Sequence, residues 1–165
     1  MKLNNLLKLV TCVAVCEGAG IIGSIVTIPS IPTWYAGLVK PMLNPPAWVF
    51  GPVWTILYAM MGVSLFLFWE KLSVVRKNKK MMRVWQIGYG MFAVQLALNI
   101  RWSVIFFKLH NIGGAFIEII FLWFAILATV FAFEKISRTA ASLLLPYLLW
   151  VTFAAYLNFS LWMLN

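Results

Sequence analysis

Three apolar stretches of this 165-residue chain carry flat aromatic rings at helical spacing, and two of them add carboxamides. Phe50, Trp54, Tyr58 and Met61 form one stripe, with Pro52 beside it. Gln95, Asn99, Trp102 with Ser103, and Phe106 form a second. Tyr147, Trp150, Ala154 and Asn158 form a third, next to Pro146. A cavity for a large, flat, mostly apolar ligand needs that mixture of aromatic faces and a few polar groups. The same residues could instead pack helices together, with the amides as interhelical glue. Other chemistries find little support. There is no Ser–His–acid set, no Cys–His pair and no phosphate-cradling glycine loop. Cys12 and Cys16 lie in an apolar run, far from the single His110, so they read as small hydrophobes and no metal site is expected.

These side chains need elements to hold them, and composition says which. The chain is 64% hydrophobic and 10% charged, with mean hydropathy +0.94. A soluble domain carries about 25% charged residues. Five stretches, near 7–27, 47–69, 84–107, 113–133 and 140–162, have the roughly 20 apolar residues that a bilayer-spanning helix requires. Runs such as 56–61 and 119–124 do not alternate polar with apolar, which excludes a membrane barrel. The expectation is an all-α, single-domain membrane bundle of five transmembrane helices. Glu17 interrupts the first apolar run and no A-x-A site follows, so that run reads as a retained helix and not a cleaved signal peptide.

The net charge of +9 is a topology signal, not a nucleic-acid footprint. With five spans, Lys2, Lys8, Lys71, Arg76, Lys77, Lys79, Lys80, Arg83, Lys135 and Arg138 fall on one side. Only Lys40 and Lys108 fall on the other. The bias predicts a cytoplasmic N-terminus and an outside C-terminus. No nucleic-acid-binding motif is present, and no nucleic-acid partner is expected. Segment 28–46, on the outside, holds Pro29, Pro32, Pro41, Pro45 and Pro46 and reads as the longest non-helical piece. Trp34, Tyr35 and Trp48 point to a structured lid there. Gly20 and Ser24, like Ala19 and Gly23, are small residues four apart, suited to close helix packing within or between protomers. Among charges inside spans, Glu17 lies near the middle of the first helix. Arg101 and Glu118 lie at similar depth, where they could form an ion pair.

The stretches Trp34-Tyr35-Ala36-Gly37-Leu38-Val39-Lys40-Pro41 and Asn44-Pro45-Pro46-Ala47-Trp48-Val49-Phe50-Gly51-Pro52-Val53-Trp54-Thr55-Ile56-Leu57-Tyr58 resemble the translocator protein family, also called tryptophan-rich sensory proteins or peripheral-type benzodiazepine receptors. Asn99-Ile100-Arg101-Trp102-Ser103 with Phe106-Phe107, and Leu144-Leu145-Pro146-Tyr147-Leu148-Leu149-Trp150 with Phe153-Ala154 and Leu157-Asn158, continue the resemblance in order over almost the whole chain. The resemblance implies five transmembrane helices, a homodimer in a cell membrane or organelle envelope, and a pocket opening toward the first outer loop. It implies tetrapyrrole ligands such as protoporphyrin or haem, with no intrinsic cofactor, and a role as sensor, carrier or scavenger in contact with membrane lipid. The implied pocket residues are Trp34, Tyr35, Trp48, Trp54, Tyr58, Asn99, Trp102, Phe106, Trp150 and Ala154. Arg101 or Lys40 could hold a porphyrin propionate. Trp54 and Trp150 match the pair implicated in light-dependent porphyrin breakdown, an alternative enzymatic role in which they would be the catalytic residues. A lipid- or sterol-binding transporter is a further alternative. The sterol motif is incomplete, because no Lys or Arg follows Tyr156.

Overall fold

The computed structural model describes residues 3–165, so Lys2 of the basic side lies outside the described residues. The order of helices is α1 (Leu3–Thr27), α2 (Ala47–Glu70), α3 (Leu72–Val75), α4 (Lys79–Ser103), α5 (Ile112–Glu134), α6 (Arg138–Ser142) and α7 (Leu145–Leu164). Among the described residues, five helical segments are long and apolar enough to cross a membrane: those built on α1, α2, α4, α5 and α7. The fold is therefore all-helical and membrane-spanning. Helices satisfy their own backbone hydrogen bonds, which hydrocarbon demands of any exposed segment.

Two boundaries differ from the sequence reading. Segment 28–46 is not non-helical throughout. The first span continues through a 3₁₀ turn (Ile28–Ser30) and a π turn (Ile31–Tyr35), and the irregular stretch is only 38–46. Pro29 and Pro32 sit in the first positions of these two turns. A missing N–H is harmless there, so proline changes the winding without ending the helix. The last span is broken at Leu143–Leu144 into α6 and α7, and Pro146 occupies the opening turn of α7.

The bundle is filled at one end. Phe68 stacks on Phe133 with centroids 3.7 Å apart, and Phe92 and Trp85 stack beside them. Gly88 makes room, since a Cβ there would meet Phe68 Cζ at 2.9 Å. At the same end Lys8 Nζ and Asn5 Nδ2 both donate to the Glu70 carboxylate, at 3.1 and 3.2 Å. Cys12 and Cys16 are buried free thiols where α1 meets α2. Lipid tails are as apolar as leucine, so helices in a membrane associate by close packing and hydrogen bonds more than by hydrophobic burial. Gly62 of α2 lets the backbones touch: a Cβ there would lie 2.5 Å from Val13 Cα.

Gly62→Val should therefore push α1 from α2 and lower stability by about 1–3 kcal/mol. Gly90→Ala, with nothing within 4 Å of the added carbon, should leave stability unchanged or raise it. Thermal unfolding of both variants in detergent checks the contrast.

Candidate functional site

The other half of the bundle is hollow. A cavity of about 430 Å³ lies between α1, α2, α4 and α7, while α5 contributes none of its lining. Its size falls within the roughly 300–1,000 Å³ of small-molecule sites. The walls are mostly apolar and aromatic: Phe50 and Trp54 from α2, Trp102 and Phe106 from α4 and its π turn, Trp150 and Ala154 from α7. Trp54 lies 5.6 Å from the Tyr58 ring and edge-on to Tyr147 at 6.2 Å. Trp102 stacks on Phe106 at 5.1 Å, and Phe50 meets Trp150 edge-on at 6.1 Å. These contacts fix ring planes, which a stacking ligand requires.

A chain of hydrogen bonds closes the deep end. The Tyr58 hydroxyl donates to Asn99 Oδ1 at 2.6 Å, and Asn99 Nδ2 donates to the Tyr147 hydroxyl at 2.8 Å. This ties α2, α4 and α7 together across the bundle. Nearer the mouth, Trp102 Nε1 donates to Asn158 Oδ1 at 3.0 Å, and Asn158 Nδ2 donates to the Ile112 carbonyl at 2.8 Å. The two asparagines thus both join helices and line the cavity. Gln95 is buried and lies outside the lining.

One end of the cavity is rimmed by Tyr35, Ala47 and Trp48, the residues that flank the 38–46 loop. The Tyr35 hydroxyl donates to Asn44 Oδ1 at 2.8 Å, and Lys40 Nζ sits 5.0 Å over the Tyr35 ring. Asn165 grips Val39 from the far end of α7, accepting from its N–H at 3.0 Å and donating to its carbonyl at 3.1 Å. Ser30 Oγ donates to the Phe107 carbonyl at 2.8 Å, holding the end of the first span against the π turn after α4. The loop is pinned at two points, by Tyr35 and by Asn165. The lining residues Ile21, Ile28, Gly51 and Thr55 are exposed, so the cavity also opens sideways between α1 and α2.

Nine of the ten sequence-predicted pocket residues line this one cavity: Tyr35, Trp48, Trp54, Tyr58, Asn99, Trp102, Phe106, Trp150 and Ala154. Trp48 is 75% exposed at its rim. Trp34 does not line it. Its ring stacks on His110 at 4.3 Å and meets Phe106 edge-on at 5.4 Å, so it backs the wall from outside. Arg101 is also turned away from the cavity. Its Nε donates to Glu118 Oε1 at 2.6 Å and its Nη2 to Glu118 Oε2, so the expected ion pair with α5 forms and Arg101 is not part of the lining. Lys40 is likewise outside the lining, with its Nζ on the Ala36 and Leu38 carbonyls.

The first span was missed as a wall. Glu17, Gly20, Ser24, Thr27 and Ile31 all line the cavity. Their spacing at three, four and seven residues was legible as one helical face. The small residues on it pack within the protomer: a Cβ on Gly20 would meet the Tyr58 ring at 2.6 Å, and one on Gly23 would meet Ser103 Oγ at 3.2 Å.

Residues 12–163 match the model of the TspO/MBR family. The chain is 41% identical over 161 residues to the tryptophan-rich protein TspO of Chlorobaculum tepidum, covering 98% of each. It is 40% identical over 161 residues to the protein of the same name from Archaeoglobus fulgidus, covering 98% of this chain and 99% of that one. It is 40% identical over 129 residues to the human translocator protein, covering 78% of this chain and 73% of that one.

Replacing Asn99 by Leu should strand the Tyr58 and Tyr147 hydroxyls, at roughly 1–3 kcal/mol for each. Adding Tyr58→Phe to that variant should recover part of the loss, because one stranded hydroxyl disappears. Unfolding of the two proteins in detergent measures both changes.

Proposed function

The chain belongs to the TspO/MBR family, and from that membership we propose that it is a receptor or carrier in the cell membrane for flat, largely apolar ligands of the tetrapyrrole class. Protoporphyrin or haem would lie in the cavity with its ring against Trp54, Trp102 and Trp150. The observation that carries this reading is the convergence of those indoles with Tyr58, Phe106 and Asn99 on one hollow of about 430 Å³. Planar rings gain by offset or edge-on stacking, and each such pair contributes about 0.5–1.5 kcal/mol beyond buried area. The charge bias of the connecting loops supports a mouth facing outside, at the end flanked by the pinned loop. That setting suits capture of a hydrophobic pigment at the outer leaflet, for sensing, carriage or removal.

Light-dependent breakdown of the bound porphyrin is a second reading. It draws on Trp54 and Trp150 sharing the cavity, where either indole could donate an electron to a photoexcited ring. Illumination of the loaded protein should then yield a new absorbing species that fails to form without these tryptophans. Loss of porphyrin at the same rate in detergent buffer alone counts against it.

Protoporphyrin should quench the intrinsic tryptophan fluorescence of the purified protein saturably. Replacing Trp54 and Trp150 together by Leu should weaken its affinity by about tenfold or more, as expected for central aromatic anchors. Haem absorbance titration of the same pair checks this without relying on indole emission. Unchanged affinity in both assays removes the ligand from this cavity.

A further inference from the structure

The cavity has a polar floor with one carboxyl group on it. On each of the four helices that line it, one residue lies furthest from the mouth: Glu17 on α1, Tyr58 on α2, Asn99 on α4 and Trp150 on α7. The Tyr58 hydroxyl and the Asn99 amide are engaged with each other. Glu17 is half-buried and makes no hydrogen bond or ion pair among the described residues. It sits near the middle of its span, about 21 Å of helix from Leu3 and about 27 Å from Tyr35 at the usual helical rise.

The other three acidic residues are accounted for. Glu70 holds Lys8 and Asn5, Glu118 holds Arg101, and Glu134 ends α5 beside Lys135 and Arg138. Ionisable groups at membrane depth are costly, face a cavity or the bundle interior, and are stabilised by a partner. Glu17 has the cavity without the partner. No lysine, arginine or histidine among the described residues lines the cavity, so its interior holds a single carboxyl group and no cationic one.

We propose that Glu17 is a ligand-recognition residue, and that the cavity selects flat apolar molecules carrying a protonated amine on the edge that reaches the floor. The carboxylate accepts the ammonium N–H, while the indole and phenol rings around it present their negative faces to the same cation. A ligand charged only by carboxylates binds the other way round, with its acidic edge at the mouth. This inference rests on the reading of the cavity as a site for flat apolar ligands, and it adds which polar group such a ligand carries and where.

The test uses the full chain in zwitterionic phosphatidylcholine nanodiscs at pH 7. Three probes share one ring system: pyrene, 1-pyrenemethylamine and 1-pyrenecarboxylate. Binding is read as quenching of tryptophan emission, with the Trp54→Leu, Trp150→Leu protein as the baseline for partition into lipid. The amine should bind about tenfold or more tighter than pyrene, and the carboxylate most weakly. Glu17→Gln should erase the amine's advantage, improve the carboxylate and leave pyrene unchanged. Glu17→Asp, which keeps the charge, should keep part of the preference. An amine preference that survives in Glu17→Gln overturns the proposal, and so does an equal loss of all three probes. Failure of every probe to saturate the unmodified protein removes the cavity as a site for flat ligands and takes the inference with it. The two failures are therefore distinct.

Discussion

The Tyr58–Asn99–Tyr147 bridge divides this molecule into a solid half and a hollow half. Below it the bundle is closed by stacked phenylalanines and by glycines that admit them. Above it the same helices stand apart. Asn99 has both ends of its amide engaged, one by each tyrosine, at 2.6 and 2.8 Å. Tyr147 is fully buried and Tyr58 nearly so. In hydrocarbon an amide has nothing else to bond to, so the pairing fixes the relative depth and rotation of α2, α4 and α7. The orientations of Trp54, Trp102 and Trp150 follow, because each sits within two turns of a bridge residue on its own helix.

The first span completes the enclosure by a different device. It approaches Tyr58 through Gly20, where even a methyl group would collide with the ring. It meets α2 backbone through Gly62, and α4 through Gly23 against Ser103. Above Gly20 it diverges from α2, leaving Ile21 and Ile28 exposed as lining. The proline-wound turns then carry it on to Tyr35, whose hydroxyl anchors Asn44 of the loop. Two prolines that lack N–H donors thus extend a helix to the place where the lid begins.

Much of this was legible in the residues. Aromatic and amide stripes at helical spacing located three of the four walls, and nine of the ten named positions share the lining. What escaped was whatever depends on rotation about a helix axis. Trp34 and Tyr35 are adjacent, hence about 100° apart on a helix, and here Tyr35 lines the cavity while Trp34 stacks on His110 behind the wall. Arg101 sits between Asn99 and Trp102 in sequence, yet its face is α5, where Glu118 receives it. The role of Gly20 and Ser24 was hidden because small residues at that spacing signal packing and cavity walls alike. The continuation of the first span past Pro29 and Pro32 was hidden because proline density signals loops, while its tolerance depends on falling in the opening positions of each turn.

A cavity inside a bilayer faces a selection problem that a pocket in water does not. An apolar ligand dissolved in lipid gains no hydrophobic free energy by moving into a pocket lined with leucine, because both surroundings are equally apolar. Affinity has to come from what acyl chains lack: rigid flat faces that stack, fixed hydrogen-bonding groups, and a void that lipid chains fill poorly. The lining has that character. Indoles held at set angles supply the faces, and the asparagines are locked by their own bonds so that they need no reordering on binding. The Tyr58–Asn99 floor keeps the void from collapsing. In the proposed role, discrimination among flat molecules rests on the few polar atoms left unengaged by the protein. One such group lies at the depth of the floor, the Glu17 carboxyl, which has no hydrogen-bond or ion-pair partner among the described residues. In that proposed role, a membrane pocket that leaves a carboxyl group unengaged beside rigid rings prefers a ligand over its solvent.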